Sequence, residues 1–193
     1  MISFVTERFP PLPVQSVRPV FVFWGRIHAQ KGLDRALGIF SKVHAQQPSA
    51  RFIVISPDGG DLNRIQNLVD VLGLGGAVQF MKGLDFSGIQ QIARQASFYL
   101  QTSETEGMAM SVVESMQLGL VPVVSPVGEI ANYARHGENA VVVTDDSAAV
   151  SDVMNLVDDD LRFQALRQRA IATWANQPIY KDSVVAACRE ILI

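Results

Sequence analysis

Two stretches of the chain gather residues whose types and spacing could do chemistry. In the first, Gly25-Arg26-Ile27-His28-Ala29-Gln30-Lys31-Gly32, two fixed cations stand five positions apart, just ahead of a helical pattern. A helix start offers unpaired amides and the positive end of the peptide dipole. An arginine fork can hold two phosphate oxygens at once and a lysine adds a point charge, so the pair suits a dianion. Gly25 and Gly32 permit sharp turning and close approach of the backbone. The spacing is neither GxxxxGK[ST] nor GxGxxG. A competing reading makes Arg26 and Lys31 solvated loop charges, and His28 reads as a surface imidazole.

The second stretch runs from Thr102 to Glu114 and carries Glu106 and Glu114, separated by seven residues. The helical pattern begins near Ala109, which leaves Glu106 in the loop and puts Glu114 ~7–8 Å along the axis. The amides of Gly107, Met108, Ala109, Met110 and Ser111 could hold a phosphate at the helix end. Each carboxylate offers two acceptor oxygens to paired hydroxyls, Glu114 to a ribose and Glu106 to a second sugar. Small residues at 107 and 109 leave room for the backbone to reach a ligand. Ribose, phosphates and sugar, in that order, make a nucleotide sugar. Two other readings compete: helix-start anions favoured by the dipole alone, and an acid/base pair for glycoside hydrolysis.

These loops need elements to position them. Apolar runs at 19–24, 51–56, 77–80, 97–101, 121–125 and 140–143 are short and rich in β-branched residues, as strands buried on both faces of a parallel sheet should be. Helical patterns lie between them at about 32–46, 61–73, 87–96, 109–118 and 128–135. Leu33, Ala36, Leu37, Phe40 and Val43 form one apolar stripe. Repeated alternation predicts an α/β, Rossmann-like, doubly wound parallel sheet of about six strands with helices on both faces. Ligands of such sheets sit at the carboxyl ends of strands, where both loops lie. After residue 146 three helical stretches, 147–157, 159–175 and 180–192, follow without strands. Residues 1–19 carry Pro10, Pro11, Pro13 and Pro19 and read as an extended, solvated linker or stub ahead of a domain at 20–193.

Composition bounds the function. At 193 residues and 48% hydrophobic the chain can build a core without staples, and its net charge of −3 offers no field for nucleic acid. No run approaches the ~18 apolar residues of a membrane span. A cytoplasmic setting, with peripheral association at the inner membrane face left open, is the expectation. Cys188, the single cysteine, reads as a packed thiol. Asp158-Asp159-Asp160 reads as a helix-capping cluster rather than a metal site.

Taken together, these motifs resemble the donor-binding C-terminal half of the GT-B fold in retaining glycosyltransferases of family 4. Gly25-Arg26 and Lys31-Gly32 match its GR and KG, Val78-Gln79-Phe80 with Gly83 its third-strand motif, and Glu106 with Glu114 its E-x7-E signature. The resemblance covers about residues 20–145. It implies that Arg26 and Lys31 neutralise the departing diphosphate, with Glu106 completing the catalytic set by holding the donor sugar. Gly25, Gly83, Leu84, Gly107, Met108, Ala109, Met110, Ser111 and Glu114 would bind the donor, the loop at Gly83-Leu84 contacting the base. No metal and no cofactor are implied; the substrate is a UDP-, GDP- or ADP-linked sugar, from which a hexosyl group is transferred. Two departures stand out: Met108-Ala109 where the family commonly has Phe-Gly, and Ser56-Pro57-Asp58-Gly59-Gly60 where it has GxG.

A full enzyme of this kind has a second, N-terminal domain that binds acceptor and closes over the donor; with 1–19 read as a stub, the expectation is that this chain lacks it. The expectation is a chain that binds nucleotide but transfers sugar poorly by itself. The alternative is a stand-alone, non-catalytic nucleotide-sugar-binding module. A flavodoxin-like regulatory domain would need an aspartate at the end of the first or third strand, and there is none.

Overall fold

A computed structural model describes residues 5, 7–13, 17–57 and 59–191. The apolar runs become six strands, β1 (Val20–Trp24), β2 (Arg51–Ser56), β3 (Val78–Lys82), β4 (Phe98–Gln101), β5 (Val121–Val124) and β6 (Val141–Val142). They form one sheet in the order β3-β2-β1-β4-β5-β6, every neighbouring pair parallel. The α/β, doubly wound reading is therefore the architecture observed. Between the strands run α1 (Leu33–Gln46), α2 (Leu62–Val71), α3 (Phe86–Ala93), α4 (Met110–Leu118) and the single turn α5 (Ile130–Tyr133). After β6 come α6 (Asp146–Asp158), α7 (Asp160–Ala175) and α8 (Tyr180–Ile191).

The central strands are buried along their length because helices cover both faces; β4 and β5 expose no residue at all. The predicted α1 stripe packs onto them, and Phe40 meets the rings of Phe21 and Phe52 at 5.7 and 5.4 Å. Truncating such a ring to alanine costs ~3–5 kcal/mol. Asp145 caps α6 through Ala148 N–H, and Asp159, within the acidic cluster 158–160, caps α7 through Arg162 N–H as read from the sequence. No described helix is long and apolar enough to cross a membrane.

Three expectations need correction. The described part of the proline-rich opening is anchored rather than a free linker: Val5 and Leu12 are buried in the core, while Glu7, Arg8, Pro10, Pro11 and Pro13 stay exposed. Leu12 N–H donates to Leu118 O (3.0 Å), Phe9 N–H to Gln117 Oε1 (3.1 Å), and the buried Arg167 guanidinium donates to Leu12 O. Prolines remove donors, yet two of the amides they leave, those of Phe9 and Leu12, find partners on α4. Cys188 is exposed, because no described side chain of α8 is buried. The pattern at 128–135 forms only one helical turn, since its polar residues give it no face to bury beyond Ile130 and Ala134.

Candidate functional site

β1 and β4 are neighbours where the strand order reverses, so the loops that follow them meet at the carboxyl edge of the sheet. Hydrogen bonds to the backbone lock them together: Glu104 N–H donates to Gln30 O (2.9 Å) and the Thr102 hydroxyl Oγ1 to Gly32 O (2.7 Å). Gly32 has φ +63°, and a Cβ there would stand 1.9 Å from Thr102 O. The loop after β5 comes as close: a Cβ on Gly128 (φ +55°) would stand 2.0 Å from Glu106 O. Only glycine lets these three loops touch.

Between them opens a cleft of about 630 Å³. Arg26, Lys31, Glu106 and Gly107 line it, so both cations face the loop that carries the first glutamate. His28, Gln30, Gly59 and Thr105 complete the lining; the last three have no sequence signal of their own. His28 is exposed and its Nδ1 accepts from Gln30 N–H (3.4 Å), at the start of the single 3-10 turn Ala29–Lys31.

Glu106 is already heavily engaged. Its Oε1 accepts from Lys31 Nζ (2.6 Å), Ser103 Oγ (2.7 Å) and Gln101 Nε2 (2.8 Å). Its Oε2 accepts nothing from the described residues. The side chains of Lys31 and Glu106 are 28% and 9% exposed, so the pair is partly desolvated and worth more than a surface contact. Lys31 keeps further N–H groups for a ligand, but its charge is partly answered by Glu106.

After Glu106 the chain turns into α4 through Ala109, which has φ +53° and is the one described non-glycine residue at positive φ. Gly107 O accepts from Glu129 N–H and Met108 O from Tyr133 Oη, each at 3.0 Å. In trans peptides the amides of Met108 and Ala109 then point away from those partners. The amides of Met110 and Ser111 lie in the first helical turn and have no acceptor within the helix.

Glu114 sits on the flank of α4, outside the cleft lining. Its Oε2 accepts from Trp24 Nε1 (2.8 Å). Burial pushes its pKa above the usual carboxylate range; the indole donor opposes this and the nearby Glu7 carboxylate adds to it. Gly25 is half-buried at the end of β1. Gly83 belongs to a neighbouring, more apolar cavity of about 520 Å³ with Ile27, Pro57, Leu62 and Phe80, whereas Leu84 is 38% exposed. Asp58 lies outside the described residues. No group of three or more His, Cys, Asp or Glu among the described residues could hold a metal ion.

Comparison with known proteins places this geometry. The sequence profile of the family "Glycosyl transferases group 1" matches residues 5–173. The uncharacterized glycosyltransferase YqgM of Bacillus subtilis (strain 168) is 26% identical over 168 residues, 86% of this chain and 46% of that protein. TarM of S. aureus, crystallised with UDP, superposes with a TM-score of 0.87 at 14% identity, over 97% of this chain and 38% of TarM. The C-terminal domain of the group 1 family protein LpcC from Francisella tularensis superposes at 0.78 with 17% identity, over 91% of this chain and 98% of that domain. The chain spans less than half the length of the curated relatives it matches. With the profile covering most of its length and the fold shared with a C-terminal domain, the chain belongs to the glycosyl transferases group 1 family and has the Rossmann-like C-terminal-type domain of GT-B glycosyltransferases.

Proposed function

We propose that the chain is the donor-binding domain of a retaining, family 4 glycosyltransferase and holds a nucleoside diphosphate sugar between the β1 and β4 loops. The observation that carries this reading is the convergence of Arg26, Lys31, Glu106 and Gly107 on one cleft. The diphosphate lies against Arg26, Lys31 and the amides at the start of α4, which stabilise the charge that develops as it departs. Gly107 supports this placement: a Cβ there would meet nothing within 4 Å, so the protein itself does not require glycine. Glu106 Oε2 accepts hydrogen bonds from hydroxyls of the donor sugar, and Glu114 holds the ribose through the lone pairs that Trp24 leaves open. The apolar cavity beside Gly83 takes the base. UDP in the TarM crystal supports a nucleotide as ligand of this fold. Transfer requires a second domain that brings the acceptor and excludes water.

Titration of the chain with UDP, GDP and ADP tests the reading. Binding of at least one is expected, and Glu106→Gln tightens it about threefold or more by removing a negative charge beside the phosphates. Binding of none of the three nucleotides overturns the proposal.

A further inference from the structure

β4 is buried from end to end, yet it carries a tyrosine and a glutamine two positions apart. Strand periodicity puts Tyr99 and Gln101 on one face of the sheet, where apolar side chains would pack at no polar cost. Neither is exposed at all. Every polar group of Gln101 is used. Its two Nε2 hydrogens go to Glu106 Oε1 (2.8 Å) and Ser103 Oγ (3.0 Å). Its Oε1 accepts from Tyr99 Oη (2.6 Å) and Ser111 Oγ (3.0 Å). The orientation of the amide is not arbitrary, because an ionised carboxylate only accepts and therefore must face the nitrogen.

Tyr99 extends the network to the other glutamate. Its hydroxyl also approaches Trp24 O (3.2 Å), and its ring packs edge-on against the Trp24 indole at 4.5 Å. That indole donates to Glu114 Oε2. Two carboxylates on different segments are thus fixed from one buried point, one through an amide and the other through an indole. The same amide steadies Ser111 in the first turn of α4.

We infer that Tyr99 and Gln101 are positioning residues for the donor site, a buried relay that fixes Glu106 and the start of α4 directly and Glu114 through Trp24. The inference rests on the donor-binding reading. Its cost is two buried polar side chains, tolerated because all their groups are satisfied.

Gln101→Leu removes every hydrogen bond of the amide at similar bulk, and Tyr99→Phe removes only the hydroxyl. NMR titration with UDP-glucose and with UDP reads the outcome, thermal melts accompanying each variant. Gln101→Leu is expected to weaken UDP-glucose about tenfold in the unaltered chain and no more than about threefold in a Glu106→Ala background, where only its hold on the start of α4 remains. A merely structural role gives the same loss in both backgrounds, and that result overturns the inference. If Gln101→Leu does not fold, Tyr99→Phe carries the same cycle, with a smaller loss of about threefold expected. The Gln101 side-chain amide reads the relay without ligand: its two protons are expected well apart and slow to exchange, moving on Glu106→Gln. Free-amide behaviour overturns the relay while leaving donor binding intact. If the unaltered chain binds GDP or ADP instead of UDP, the same cycle is run with the corresponding nucleotide sugar; if it binds none of the three, the donor reading fails and the positioning role with it.

Discussion

The surroundings of Glu106 and Glu114 show one chemical group handled in two ways. Glu106 leaves a loop and meets charge with charge: a lysine and two neutral donors crowd one of its oxygens, and the other is left open. Glu114 rises from a helix flank and, among the described residues, has an indole N–H and no cation for a partner, so burial works against its ionised form. The difference teaches that the first is held by donors and a cation beside a cleft, whereas the second pays a desolvation cost that a hydroxyl-bearing ligand would relieve.

The largest effect should come from breaking the charged side of this contrast. Lys31→Ala leaves Glu106 without its cation and next to any bound phosphate; nucleoside diphosphate affinity is expected to fall about 30-fold, ~2 kcal/mol. A calorimetric titration checks it, and a loss no greater than that of Arg26→Ala would remove the distinction between a paired and an exposed cation. A smaller change sharpens the uncharged side. The folded-state pKa of Glu114 is raised, so the folded chain holds this proton more tightly than the unfolded one. Stability from that proton is present at low pH and is lost as pH rises through the folded value. Glu114→Gln keeps an acceptor for Trp24 without the charge. It should therefore stabilise by ~0.5–1 kcal/mol at pH 7.5, an advantage that vanishes below the ordinary carboxylate pKa of 4.5. Urea denaturation at the two pH values decides. The smallest effect concerns the spacer between the two groups. Ala109 occupies the left-handed region at φ +53°, where a Cβ is strained. Ala109→Gly is expected to add ~0.5 kcal/mol by the same measurement.

Much of this was legible in the residues. Strands showed because both-face burial makes continuous apolar runs, and α1 because its stripe repeats every three or four positions. That Arg26, Lys31, Glu106 and Gly107 share one cleft was legible, because both of their loops follow strands at the carboxyl edge of the sheet. The Met108-Ala109 departure was visible as well, but its backbone consequence needed φ. The Lys31–Glu106 pairing was not visible, since the partners lie on different crossovers and only the strand order brings them together. Tyr99 and Gln101 were hidden inside an apolar run, although two polar tips on one face of a central strand were a signal available to be read. The seating of the opening residues is not legible, because proline content speaks of backbone donors and not of Val5 and Leu12, whose burial depends on grooves formed by distant helices.

Those opening residues set a practical boundary for anyone trimming the chain. Cutting at Pro13 to leave a tidier sheet-and-helix unit would strip the acceptor from a guanidinium that burial has already left short of water. It would also unbolt the far end of the helix whose near end borders the cleft, because Phe9 and Leu12 grip Gln117 and Leu118 there. A shortened variant made for crystallisation should begin no later than Val5.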